Sequence, residues 1–514
     1  MRHCGNDFRY LEHMTPVRRW VGARCIQADA ATGAGLDVAA EKKGDCMRNR
    51  FLIVWVWLFL CPLAVDYKGD EAGSHLAQIL LAAPAIAAGF ALILTGPRIA
   101  GHSRLRKLVT VGLGLTIFGS AVTQLAQHNE VGNYLRVLLP FALFYLGYIV
   151  ACHAWDAKRM AQFERVLFYA MSVSLVFSFV NGMVESGNLA EVRFRIVSPT
   201  LLALQAMLLH EFVISRRFTK LALLVFAGTV LVELFSVTRS LAVGTVLLFG
   251  YATWLGASST WRLITSAMRA TVVAAIIAGT AIGAASLVPE VAAHWTQRVY
   301  AAKTSETGMD PTTVTRLAEM RDQYDQVTAS TGSLLVGMGY GHWYRYSPTY
   351  LWALAGQMSA SDFYAVRDWG AGHNFWVYQL YSGGLLFGLG LPVAILYAAI
   401  RGSMAYRRWR RVAPDMPFLP VMGRSLMIVM SLLAMSIGGN PLGPRFSGLV
   451  FGFGLGMLVA CYARLAKAAP ARRRARYATV VPVTQVADVG RAADLPSPFG
   501  RHPDPRLTDG RRFS

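Results

Sequence analysis

The side chains best suited to chemistry in water are one histidine and a few arginines, in or beside the long polar stretch 289–375. His373 stands in GAGHNFWVYQLYSGG, where the polar stretch gives way to an apolar segment beginning at Asn374. An imidazole there can take a proton near neutral pH. Gly370 and Gly372 would let the backbone approach a ligand. A histidine that only caps the start of a helix is the other reading of the same position. Arg239 lies in the tight turn VTRS between two apolar segments of minimal length, each about 25 Å as a helix. That places it at or slightly below a membrane surface, where its planar fork suits phosphate oxygens. It could equally snorkel to lipid headgroups. Glu233, six residues earlier, either pairs with a basic group or neutralises Arg239 across the bundle.

Within the polar stretch, DPTTVTRLAEMRDQYDQV reads as an amphipathic helix, with Asp310 as N-cap and Pro311 at its first position. Val314, Leu317, Met320, Tyr324 and Val327 recur at helical spacing and form the expected docking face. Docking would fix Arg316 and Arg321, although both could simply pair with Glu319, Asp322 or Asp325 along the helix. GMGYG at 337–341 lacks the lysine and hydroxyl of a phosphate loop and reads as a turn. The aromatics Tyr340, Trp343, Tyr344, Tyr346, Tyr350, Trp352, Tyr364 and Trp369 are candidates for sugar stacking, interfacial anchoring being the commoner use. No HExxH, GxSxG or dinucleotide fingerprint is present. The six cysteines have no metal-ligand spacing, so neither a metal nor a cofactor is expected.

The elements that must hold these residues are membrane helices. The 514-residue chain is 54% hydrophobic and 15% charged, and apolar runs of roughly 17 to 25 residues, enough to cross a bilayer, recur along it. The expected fold is all-α: a polytopic bundle of about twelve transmembrane helices and one large outer loop containing short helices. The spans are Phe51 to Val65, Leu76 to Leu94, Leu108 to Gln127, Tyr134 to Cys152, Val166 to Val184, Ile196 to Ile214, Leu221 to Val237, Leu241 to Ala257, Ala270 to Val288, Trp376 to Ile400, Val421 to Gly438 and Ser447 to Arg464. This divides the chain into a tail at 1–50, nine spans over 51–288, the loop 289–375, three spans over 376–465 and a basic tail at 466–514. Both tails read as disordered, and nothing before Met47 is needed for insertion. One set of short loops carries seventeen Lys and Arg and the alternate set six. This asymmetry puts both termini in the cytoplasm and the long loop outside. The net charge of +21 lies mostly in tails and inner loops, which explains it without nucleic acid.

Four of these features together resemble the O-antigen ligase and polymerase family of bacterial envelope glycan enzymes. They are the arginine of TRS closing an outer hairpin, the loop arginine in DPTTVTRL followed by LLVGMGYG, the GHN before GGLLFGLGLP, and NPLGPRFSGLVFGFGLG near the end. The resemblance covers about Leu221 to Arg464. It implies a multi-pass protein of the bacterial inner membrane that transfers a glycan from undecaprenyl diphosphate to an acceptor hydroxyl in the periplasm. The acceptor would be another glycan, a lipid A core or a protein. It further implies no metal or nucleotide sugar, His373 as the catalytic residue, and Arg239 with Arg316 as ligands of the donor diphosphate. Arg298 and Arg321 are substitutes for the second arginine, and Asn374 and Arg445 are additional candidates. A single dominant loop suits a ligase. The alternatives are a twelve-span transporter or lipid-linked glycan exporter, and an inactive assembly scaffold.

Overall fold

Apolar runs form helices throughout a computed structural model that describes residues 51–66, 75–99, 103–186, 192, 195–257, 260–300, 308, 310–354, 358–367 and 372–480. The front tail and the last residues of the chain lie outside this set. The chain divides into one unit of Met1–Lys467 and a second of Ala468–Ser514. Among the described residues there is no strand, and Ile99 and His153 form an isolated bridge.

The helices in order are α1 (Phe51–Ala64), α2 (His75–Thr95), α3 (Arg104–Gln127), α4 (Val131–Cys152), α5 (Ala157–Ser186) and α6 (Ser198–Leu209), which continues as a π turn, His210–Ser215. Then come α7 (Lys220–Ser236), α8 (Arg239–Gly256), α9 (Thr260–Leu287) and α10 (Pro289–Val299). The polar stretch, which begins with α10, also contributes α11 (Pro311–Thr328), α12 (Thr331–Val336) and α13 (Ala360–Ala365), and α14 (Phe375–Gly383), α15 (Gly390–Val412), α16 (Leu419–Met435) and α17 (Ser447–Val480) follow. Helix α17 runs past Arg464, so the first part of the expected disordered tail is helical. Its alanine-rich sequence has high helix propensity.

Each expected span falls on helix, Trp376 to Ile400 on two, but among the described residues six helices (α3, α4, α5, α6 with its π turn, α9 and α17) are long and apolar enough to cross a membrane, or seven if α14 and α15 count as one bent span. This is an α-helical, multi-pass membrane protein. Phe51–Ala64, Leu80–Thr95 and Leu419–Met435 are apolar but shorter. At 1.5 Å per residue, α1 is about 21 Å long against a hydrocarbon core of about 30 Å. A count of twelve is therefore more than length and composition support by themselves.

The expected continuous span Trp376 to Ile400 is not one helix. Helix α14 passes into a π turn at Gly384–Gly388, and the chain turns by 85° before α15. The glycines of GGLLFGLG remove the side chains that would stiffen this segment, and neighbouring elements bond the groups it frees. Thr116 of α3 donates to the Phe387 carbonyl (3.0 Å), and the Met338 and Gly339 amides donate to Tyr381 (2.8 Å) and Ser382 (2.9 Å). The GMGYG segment is thus a turn, as expected, and it seals the end of α14. Gly337 takes φ +79°, and a Cβ there would strike the Ser382 carbonyl. Gly448, Gly452 and Gly456 of α17 press against the α4 backbone at Pro140, Phe144 and Tyr148. Small residues four apart allow such contact between membrane helices.

Candidate active site

Helix α11 organises the site. Asp310 caps it, accepting from the Thr313 amide (2.9 Å) and hydroxyl (2.6 Å), with Pro311 following as the sequence suggests. The buried face matches the expected apolar face only at its ends, where Val327 is buried and Val314 packs against Ala318, Leu354 and Phe363. Leu317 and Tyr324 are exposed, whereas Ala318, Glu319, Asp322, Gln323 and Val327 are buried. Those polar groups are buried because each has partners. Asp322 accepts from Tyr344 Oη (2.8 Å), Ser347 Oγ (2.5 Å) and the Ser347 amide (3.2 Å). Asp325 accepts from Tyr350 Oη (2.6 Å). The carboxylates expected to pair with Arg316 and Arg321 thus hold other groups. Tyr340 and Tyr344 are likewise buried rather than interfacial, whereas Trp352 and Tyr364 are exposed.

His373 meets α11 through Glu319. One carboxylate oxygen lies 2.5 Å from His373 Nδ1, and the other accepts the His373 amide at 3.2 Å. Gln323 Nε2 also donates to Glu319 (3.2 Å). The Glu319 side chain is 7% exposed and that of His373 56%, so the acid is enclosed while the imidazole reaches water. An ionised carboxylate can only accept, so facing it Nδ1 carries a proton, and in the neutral ring the lone pair then lies on Nε2. Helix capping falls to Asn374, whose Oδ1 accepts the Trp376 (3.0 Å) and Val377 (3.1 Å) amides. Asn374 is therefore a structural cap, and His373 is not. Gly372 lies over the Tyr378 ring, where a Cβ would clash, so packing explains it better than ligand approach. Gly370 is outside the described residues.

Arg239 is where the tight turn requires. Helix α7 ends at Ser236, Val237 takes φ 45°, and α8 starts at Arg239. A β-branched residue with positive φ is strained, which fits a turn held in place from outside. Arg239 Nη2 donates to Asp310 Oδ2 at 2.6 Å. Burial opposes the charge on Asp310, but hydrogen bonds from Thr313 and Arg239 outweigh it and hold its carboxyl below the usual range. Glu233 does not reach Arg239 as a neutralising partner: it accepts from Gln205 (2.6 Å) and Thr245 (3.1 Å) inside the bundle.

Arg316 Nη1 donates to the Gly438 carbonyl (3.0 Å), in the turn after α16. A Cβ on Gly438 would sit 3.1 Å from Ser240, next to Arg239. Trp376 Nε1 donates to Ser436 Oγ (3.0 Å), tying the start of α14 to the same turn. Arg239, Arg316 and His373 thus gather around α11 and the segment from Ser436 to Arg445, where Arg445 is half-buried. Arg316 and Glu319, three residues apart, are neighbours on α11. Arg321 is exposed and five residues on, turned well away from Arg316. Arg298 lies on α10, which is fastened to the end of α7 by Trp295 Nε1 and the Leu234 carbonyl (2.8 Å); its side chain is outside the described set.

Sequence reasoning missed Asp310 as the partner of Arg239 and Glu319 as the partner of His373. The signal lay in Glu319, Asp322, Gln323 and Gln326, a polar stripe at helical spacing along α11. Among the described residues no cluster of His, Cys, Asp and Glu could hold a metal ion. Arginines beside a turn and an oriented imidazole can bind an anion and remove a proton from a neighbouring hydroxyl. No protein-family model matches this chain, and no curated protein matches it.

Proposed function

We propose that this protein is a membrane glycosyltransferase of the O-antigen ligase or polymerase type. In this reading it moves a glycan from undecaprenyl diphosphate to an acceptor hydroxyl on the periplasmic side of the bacterial inner membrane. The observation that carries the reading is the meeting of Arg239, Arg316 and His373 through Asp310, Gly438 and Glu319. These contacts join residues remote in sequence around a single helix. The twelve-crossing arrangement, with both termini cytoplasmic and 289–375 outside, belongs to the same proposal and rests on the lysine and arginine asymmetry.

The reaction needs two things from the protein. His373 Nε2 takes the proton of the acceptor hydroxyl as its oxygen bonds to the anomeric carbon. The bond from that carbon to the phosphate oxygen breaks, and the diphosphate leaves with the electron pair. Arg239 and Arg316 stabilise the charge that collects there, and fixed donors are worth most where charge develops. Both lipid-linked substrates share a membrane plane, so alignment supplies much of the remaining rate.

A transporter or lipid-linked glycan exporter is the second reading, favoured by the broken α14–α15 pair and by the buried Gln205–Glu233–Thr245 cluster. Transporters place such features at their substrate path. Purified protein in vesicles, given a lipid-diphosphate glycan and an acceptor, separates the two. Free undecaprenyl diphosphate with glycosylated acceptor supports transfer. Glycan or solute crossing the bilayer with the donor bond intact supports transport.

A further inference from the structure

We propose that Glu319 is the positioning residue of the site, a buried acid that orients His373 and carries its charge during transfer; this rests on the glycan-transfer reading above. The contact is double. One oxygen takes the Nδ1 side of the ring at 2.5 Å and the other takes the His373 backbone amide at 3.2 Å. One carboxylate therefore fixes main chain, ring rotamer and tautomer together. A ring held in this way presents Nε2, on its exposed side, as the acceptor for the hydroxyl proton.

The arrangement exceeds what anchoring a loop requires. Enclosing a carboxylate is costly unless it is paired, and an apolar contact or an amide would dock α11 against the start of α14 at less cost. Glu319 becomes most favourable when the neighbouring imidazole turns into imidazolium, which happens only as the acceptor proton is taken. Gln323 holds the acid from behind with a hydrogen bond of 3.2 Å, limiting its freedom to swing away. Arg316 sits one turn earlier on the same helix and bonds to the Gly438 carbonyl at 3.0 Å. Helix α11 thus sets the spacing between the leaving-group side and the proton-accepting side as one rigid piece.

The test uses the full-length protein in vesicles with a synthetic undecaprenyl-diphosphate glycan and acceptor, measuring kcat and donor KM for Glu319→Gln, Glu319→Asp and His373→Ala. Glu319→Gln preserves shape and removes charge; Glu319→Asp keeps charge but retracts it from Nδ1, and stands in if the first variant does not fold. Either should lower kcat by at least roughly 10²-fold, up to the roughly 10⁴-fold that loss of the orienting acid costs in a Ser-His-Asp triad, with donor KM within about twofold. A folded Glu319 variant with wild-type kcat beside an inactive His373→Ala overturns the role of Glu319 and leaves the base reading intact. Donor KM rising in step with the fall in kcat also overturns it, because Glu319 would then only prop the donor site. Full transfer by His373→Ala overturns the base assignment itself, and the positioning role with it.

Discussion

At the residue scale, two contacts place the site residues, one at the N-cap of α11 and one near its middle. Arg239 is held by Asp310 at 2.6 Å and His373 by Glu319 at 2.5 Å. Replacing Arg239 by Lys keeps the charge but loses the fork. Loss of one charge-assisted hydrogen bond, about 1.5–3 kcal/mol, should slow transfer roughly tenfold to a hundredfold with the protein still inserted. Wild-type donor affinity and turnover in Arg239→Lys would exclude a diphosphate clamp. The Asp310 pair also makes the docking of α11 depend on pH. Its folded pKa is below the ordinary value of about 3.9. The stability it adds is fully present above that value and is lost as pH falls through the lower folded pKa. Asn at this position still caps the helix, so Asp310→Asn isolates the charge. Thermal unfolding should separate the variant from wild type at neutral pH, and the gap should close in acid. A gap that is independent of pH would mean that the pair contributes nothing.

At the element scale, the tight α7–α8 turn, the cap of α11 and the order of the helices were legible because they depend on local signals: minimal apolar runs, an Asp-Pro start and glycine punctuation. The face on which α11 docks was legible only at Val314 and Val327. Its apolar periodicity points to Leu317 and Tyr324, yet both are exposed, because hydrogen bonds from Tyr344, Ser347 and His373 reward burial of the acidic face instead. Pairings across 50 residues or more, such as Glu319 with His373, leave no periodic trace. The break between α14 and α15 was also missed, since hydropathy averages over a bend. Gly337 lets the GMGYG turn close on that break with φ +79° and no room for a Cβ. Gly337→Ala should cost about 1–3 kcal/mol from the backbone conformation alone, and faster protease cleavage between Ser347 and Tyr364 would register the undocking. Unchanged protection would show that the seal is dispensable.

At the scale of the whole molecule, the orientation of the bundle decides which solution the site meets. In the proposed orientation the 289–375 loop is reached first: a membrane-impermeant thiol reagent applied from outside should label Thr349→Cys in a background lacking the native cysteines and spare Asp415→Cys. Both positions are exposed. The reverse pattern would place the site in the cytoplasm and remove the periplasmic donor from consideration. The membrane character and the helix order follow from hydropathy, whereas the number of crossings does not, because α1 and α16 are too short to be decided by length. The central claim is that His373 serves bond transfer from a lipid diphosphate, and its most direct test follows the donor in vesicles carrying wild type or His373→Ala. The wild type should convert a labelled undecaprenyl-diphosphate glycan into glycosylated acceptor. The variant should bind the donor with unchanged affinity and transfer it roughly 10²- to 10⁴-fold more slowly, the contribution of a positioned base. Equal transfer by a well-folded His373→Ala protein would contradict the account.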